Sequence, residues 1–128
     1  MNKNVTKNPG KQRLKIYKGK LHTKRKLLVC PVDKPLQKQH NIKRISVRKG
    51  DTVKVMVGDN KGKTGKVEKV DYSKSRVFVN DIKYKNARAQ EKMSPLVASN
   101  LLITDLVVDD LKRFKKKKTP EKKGGIND

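Results

Sequence analysis

The stretch Lys49–Val70 leaves this chain little freedom of fold. It reads Lys49-Gly50-Asp51-Thr52-Val53-Lys54-Val55-Met56-Val57, then Gly58-Asp59-Asn60-Lys61-Gly62-Lys63, then Thr64-Gly65-Lys66-Val67-Glu68-Lys69-Val70. Strand side chains alternate between faces, so Val53, Val55 and Val57 share one side, and Thr52, Lys54 and Met56 the other. Gly58, Asp59, Asn60 and Gly62 form the turn cluster that ends the first run. Glycine there permits left-handed backbone angles and leaves amide groups uncovered. Lys61, Lys63 and Lys66 place positive charge beside that backbone. The loop suits contact with a phosphate chain.

Further strands are expected near 75–79 and 100–104, with a weaker one near 85–92. Asp71-Tyr72-Ser73-Lys74 and Asn80-Asp81 read as turns. Val67 and Val70 break strict alternation, which predicts a bulge or a sharp twist. Val77 and Val79 face one side and Phe78 the other, with Val77 and Phe78 both expected in the core. The result is a mainly β fold, a small SH3-like barrel. Before it, Asp33-Lys34-Pro35 reads as a helix start, with Asp33 as N-cap and proline in the first turn. That helix would stop near Asn41. Asn2–Lys20 reads as an irregular extension broken at Pro9-Gly10 and Gly19. Asp109–Lys118 has a helix-like start, and Thr119–Asp128 reads as disordered.

Charge divides the chain into three. The formal net charge is +23 on 128 residues. Residues 1–49 hold 16 lysines and arginines against one acid, Asp33; residues 50–111 hold 11 against 9; residues 112–128 hold 8 against 2. The expected organisation is a basic N-terminal extension with a short helix (1–49), a barrel (50–111) and a basic C-terminal tail (112–128). So much like charge would repel itself, so the implied partner is a polyanion. The basic arms are expected to be mobile alone and to order on nucleic acid. A membrane-surface helix needs an apolar stripe opposite its lysines. Leu14, Ile16, Tyr17 and Leu21 are too sparse for one. No apolar run approaches the ~20 residues of a membrane span, and the first thirty residues lack a signal peptide's apolar centre. Cys30 is the only cysteine, so no internal disulfide can form.

Gly50-Asp51-Thr52-Val53-Lys54-Val55, Gly58, Lys61-Gly62 and Gly65-Lys66-Val67 resemble the KOW motif of RNA-binding ribosomal proteins and transcription elongation factors, with Gly62 at its hallmark glycine. The order of parts is similar to the KOW-bearing family of the large ribosomal subunit, number twenty-four in the universal scheme, in its archaeal and eukaryotic form (the eukaryotic L twenty-six). The matching stretches are His22-Thr23-Lys24-Arg25-Lys26, Leu36–Arg44, Val47-Arg48-Lys49-Gly50-Asp51 and Ser99-Asn100-Leu101-Leu102-Ile103-Thr104. The resemblance implies a structural rRNA-binding role, early participation in subunit assembly and a place near the exit of the nascent-peptide tunnel. Large-subunit rRNA and neighbouring ribosomal proteins are the implied partners. The expected location is the cytoplasm, with nuclear or nucleolar passage in a eukaryote.

The candidate RNA contacts are Arg13, Lys15, Lys18, Lys20, Lys24, Arg25 and Lys26 in the extension, then Lys43, Arg44, Arg48 and Lys49 before the barrel. In the loop they are Lys61, Gly62, Lys63 and Lys66. A charge run can be merely a solvated face, but Arg13, Lys15, Lys18, Lys20, Lys24, Arg25 and Lys26 have no neighbouring acids to pair with, which favours phosphate; Arg44, Arg48 and Lys49 are expected to extend the same surface. Tyr84, between Lys83 and Lys85, either stacks on an unpaired base or packs against the barrel. Glycines at 58 and 62 also fit ordinary hairpin chemistry. Gly58 to Thr64 is not a Walker A loop: only three residues separate Gly58 from Gly62-Lys63-Thr64, and a strand, not a helix, is expected next. Cys30, His22 and His40 are too scattered for a structural zinc site, and Cys30 is expected to be a small buried apolar side chain. Asp109-Asp110 reads as dipole compensation at a helix start.

No acid, base and nucleophile set is recognisable, so the expectation is a non-enzymatic protein. It needs no cofactor, metal, membrane or small-molecule substrate, and is not a homo-oligomer. The alternatives are a KOW-type transcription elongation or chromatin-associated factor and an accessory subunit of an RNA-processing enzyme.

Overall fold

The computed structural model describes residues 6–114. In chain order the helices are α1 (Pro9–Lys18), α2 (Leu21–Lys24) and α3 (Lys34–His40). The strands are β1 (Val29–Pro31), β2 (Arg44–Ser46), β3 (Thr52–Val55), β4 (Thr64–Asp71), β5 (Arg76–Val79), β6 (Lys83–Lys85), β7 (Glu91–Met93) and β8 (Leu101–Asp105). Short 3-10 turns cover Arg25–Leu28, Ala98–Asn100 and Leu111–Phe114. The fold is mainly β, as the sequence indicates.

The N-terminal segment departs from the expected irregular run, because Pro9-Gly10 is a helix start and not a turn. The Asn8 side chain accepts from the Gly10 N–H at 2.9 Å, and Pro9 takes the first helical position, where its missing N–H costs nothing. Lys15 and Lys18 sit in the last turn, where the helix dipole favours cations. Asp33 caps α3 as predicted, accepting from the Lys34 N–H at 2.7 Å, and Asn41 ends it in the left-handed conformation.

Four strands form one antiparallel sheet in the order β5-β4-β3-β8, and β1–β2 and β6–β7 form separate two-stranded antiparallel ribbons. The predicted bulge lies in β4: Val67 pairs with Val79 but Lys69 pairs with Phe78, so Glu68 is the extra residue. It puts Val67 in the core and leaves Lys69 exposed. The weak strand expected at 85–92 is instead two strands, β6 and β7, joined by a turn over 86–90. Polar Asn86, Arg88 and Gln90 with Ala89 at φ 57° cannot continue a ladder.

The core is rich in β-branched side chains, which suit the pleated surface. Val53, Val55, Val67, Val77, Val79 and Ile103 are all within 1 % of full burial. Val57 does not join Val53 and Val55: β3 ends at Val55, and Val57 is exposed in the loop. Phe78 is half-buried on the outer face of β5 and not in the core, because Val77 and Val79 already occupy the inner face. Leu28, Cys30, Val32, Ile45 and Val47 precede residue 50 and pack into the same cluster. The Asp33 N–H donates to the Ile103 carbonyl at 2.9 Å, tying this segment to β8.

Candidate nucleic-acid interface

The loop between β3 and β4 is held by backbone hydrogen bonds of its own. Gly62 donates its N–H to the Val55 carbonyl at 2.8 Å, Lys61 to Gly58 at 3.0 Å and Lys63 to Asn60 at 3.1 Å. These three amides are therefore spent within the loop. Gly62 serves the turn through its φ of 86°; a Cβ there would meet open space, so conformation alone demands glycine. What the loop presents outward is charge. Lys61, Lys63 and Lys66 are exposed, and the Lys63 Nζ leans on the Asn60 side chain at 3.0 Å.

The N-terminal cations fall into two kinds. Arg13, Lys15 and Lys18 on α1, Lys20 after it, and Arg25 and Lys26 on the following 3-10 turn are exposed. Lys24, predicted with them as a phosphate contact, is 8 % exposed and internal. Its Nζ donates to the Tyr17 carbonyl at 3.1 Å and to the Ser73 carbonyl at 3.1 Å. One ammonium thus pins the end of α1 to the β4–β5 turn. The carbonyls of a helix C-terminus and a tight turn lack ladder partners, so they favour a cation there.

Lys43, Arg44 and Lys49 are exposed around β2 and its exit. Arg48 is committed to Asp110, with NH1 to Oδ2 at 2.6 Å. That hydrogen bond, followed by the Lys112 N–H, holds the Asp110 carboxyl below its usual range. Asp110 is an ion-pair partner and also caps the turn that follows, its Oδ1 accepting from the Lys112 N–H at 2.9 Å; that segment is a 3-10 turn as far as Phe114 and not an α-helix. The rest of the helix expected to reach Lys118 lies outside the described residues.

The motif's Asp51 turns out to be structural, with Arg113 as its partner. Both side chains are buried, at 0 % and 3 % exposure, and paired. Arg113 NH1 donates to Asp51 Oδ1 at 2.9 Å and NH2 to the Ser46 carbonyl at 3.0 Å. Asp51 also accepts from the Arg48 N–H at 2.9 Å and the Val107 N–H at 3.2 Å. Beside this clamp Phe114 stacks on His40, with centroids 4.8 Å apart and 26° between planes. The start of the basic tail is therefore a strap across the body, joining β2, Asp51 just before β3, and α3. The sequence carried one signal for it: a lone acid between Gly50 and an apolar strand.

Cys30 is buried as expected, and its Sγ donates to the Ala98 carbonyl at 2.8 Å. Burial, then the nearby Asp51 charge, pushes the thiol up to about 12. Tyr84 is 47 % exposed on β6, directly across from Lys92 on β7. The described residues hold 28 lysines and arginines against 10 carboxylates, with three ion pairs among them. No helix of the described residues is long and apolar enough to cross a membrane.

The chain matches the family described as ribosomal proteins L26 in eukaryotes and L24 in archaea, over residues 6–118. It is similar to the large ribosomal subunit protein uL24 of Pyrobaculum islandicum (strain DSM 4184 / JCM 9189 / GEO3), with 41 % identity over 107 residues covering 84 % of this chain and 87 % of that protein.

Proposed function

Because the chain belongs to the family of eukaryotic L26 and archaeal L24 ribosomal proteins, we propose that it is a structural, non-enzymatic constituent of the large ribosomal subunit, held there by rRNA. The observation that carries this reading is the excess of exposed cations over carboxylates among the described residues, with only three ion pairs there to consume them. Arg13, Lys15, Lys18, Lys20, Arg25, Lys26, Lys43, Arg44, Lys49, Lys61, Lys63 and Lys66 are the phosphate contacts. Lys24 and Arg48 serve the protein's own folding first. Binding releases condensed counterions, and recognition follows the shape of A-form and single-stranded RNA rather than base edges in a duplex. The β scaffold fixes the arms, which neutralise phosphate repulsion between RNA helices. The protein takes part in subunit assembly, lies near the nascent-peptide exit tunnel beside other ribosomal proteins, and resides in cytoplasmic ribosomes.

If about ten phosphates are neutralised, affinity for an rRNA fragment falls with a log–log salt slope of about −7 to −9. A slope near zero refutes the electrostatic account. Sucrose-gradient sedimentation tests the particle. Co-migration with large subunits through high salt supports the proposal, and migration with polymerase or free at the top overturns it.

A further inference from the structure

The helix α1 is pinned through Lys24 to the β4–β5 turn, and together with the outer face of β5 it lines an open groove of about 810 Å³. Three elements build it. Arg13, Ile16 and Tyr17 lie at helical spacing, so they share one stripe of α1. Arg76 and Phe78 share the outward face of β5, opposite the buried Val77 and Val79. Tyr84 and Lys92 stand directly across from each other on the β6–β7 ribbon. All of these line the groove.

Two properties identify its occupant. The aromatic faces are available: Tyr17 is 78 % and Tyr84 47 % exposed, and Phe78 is only half-buried. The charge is of one sign: Arg13, Lys74, Arg76 and Lys92 line the groove, and no carboxylate is among the described residues that do so. Flat apolar surfaces rimmed by cations match a nucleobase flanked by phosphates, because every base has a π-face and carries an anion on either side. A regular duplex offers no such face, since its bases are stacked and paired.

We propose that this groove seats a single unpaired nucleotide of RNA. The base packs on Tyr84 and Phe78 with Tyr17 closing over it, and the flanking phosphates meet Arg13, Arg76 and Lys92. The inference rests on the RNA-binding reading above and adds to it a preference for bulged or looped-out residues. It also gives a reason for the helix at Pro9–Lys18, which supplies one wall.

The test uses the full chain and three RNA hairpins of one sequence: fully paired, with one bulged 2-aminopurine, and with an abasic site at the bulge. Wild type is expected to bind the bulged hairpin at least about fivefold more tightly than the other two, and to change the 2-aminopurine fluorescence. Tyr84→Ala and Tyr17→Ala, both at exposed positions, should lose that preference while keeping affinity for the paired hairpin. Tyr84→Phe should retain it. Equal binding of all three hairpins by wild type overturns the groove but leaves the RNA-binding reading standing. Failure to bind any hairpin overturns both. An unchanged preference in both alanine variants overturns the assignment of these residues. A polyglutamate peptide that displaces the bulged hairpin from wild type, and loses affinity with Tyr84→Ala, assigns the groove to an acidic protein segment instead.

Discussion

Arg113 belongs by sequence to a basic tail and by position to the core, and Arg113→Ala separates these roles. The substitution leaves Asp51 buried with two backbone amides, from Arg48 and Val107, but no counter-charge. Breaking a buried pair by removing one partner costs about 3–5 kcal/mol. The two remaining amides place this case near the lower end, about 3 kcal/mol. Against the ~5–15 kcal/mol of a whole domain that is a large fraction, and the melting temperature should fall by roughly 12 °C or more. The Ser46 and Val107 carbonyls lose their guanidinium donor at the same time. Urea unfolding of the full chain, followed by far-UV circular dichroism, measures the loss. Arg113→Lys keeps charge without the fork that meets both carboxylate oxygens, so it should lie between wild type and alanine. A tail residue serving RNA would behave differently: stability would stay within about 0.5 kcal/mol of wild type and the magnitude of the salt slope for RNA would drop by about 1. That outcome refutes the clamp.

Lys24→Met keeps the stem but removes both bonds to the Tyr17 and Ser73 carbonyls; amide exchange in α1 should quicken while β3 and β4 keep their protection, and unchanged exchange in α1 counts against the pin. In Gly65→Ala the new Cβ would lie 2.5 Å from Val79 Cγ1 and 3.1 Å from Asp81 Oδ2, so stability should fall by about 1–3 kcal/mol; a variant as stable as wild type in urea contradicts that close approach. Cys30 keeps its proton up to about 12 in the folded state, while an unfolded thiol titrates near about 8.5. The folded state holds the proton longer, so this contribution to stability is intact below about pH 8.5 and is lost as pH rises through about 12. Alkylation at mildly alkaline pH should therefore wait for unfolding, and rapid reaction of the native protein excludes the buried-thiol assignment.

How much of this was legible before the fold was known differs by kind of signal. Alternation in Thr52–Val55 and Arg76–Val79, glycines at the β3–β4 turn and the Asp33 cap are local rules, and the structure follows them. The bulge at Glu68 was legible for the same reason: Val67 and Val70 cannot share one face of a regular strand. The α1 helix was hidden, since Asn8-Pro9-Gly10 spells both a turn and a capped helix start. Lys24 looked like any other lysine in a basic run, because what distinguishes it is a pair of carbonyls, one of them at Ser73.

The amino-acid order alone therefore determined the β scaffold, its principal turns and the cationic character of the surface, since each depends on neighbours within a few positions. Only the tertiary structure decided which charges face solvent and which are consumed inside. Asp51 and Arg113 are 62 positions apart, and Lys24 and Ser73 are 49 apart. A charge's role depends on what desolvates and pairs it, and that is set by packing across the chain rather than by spacing along it.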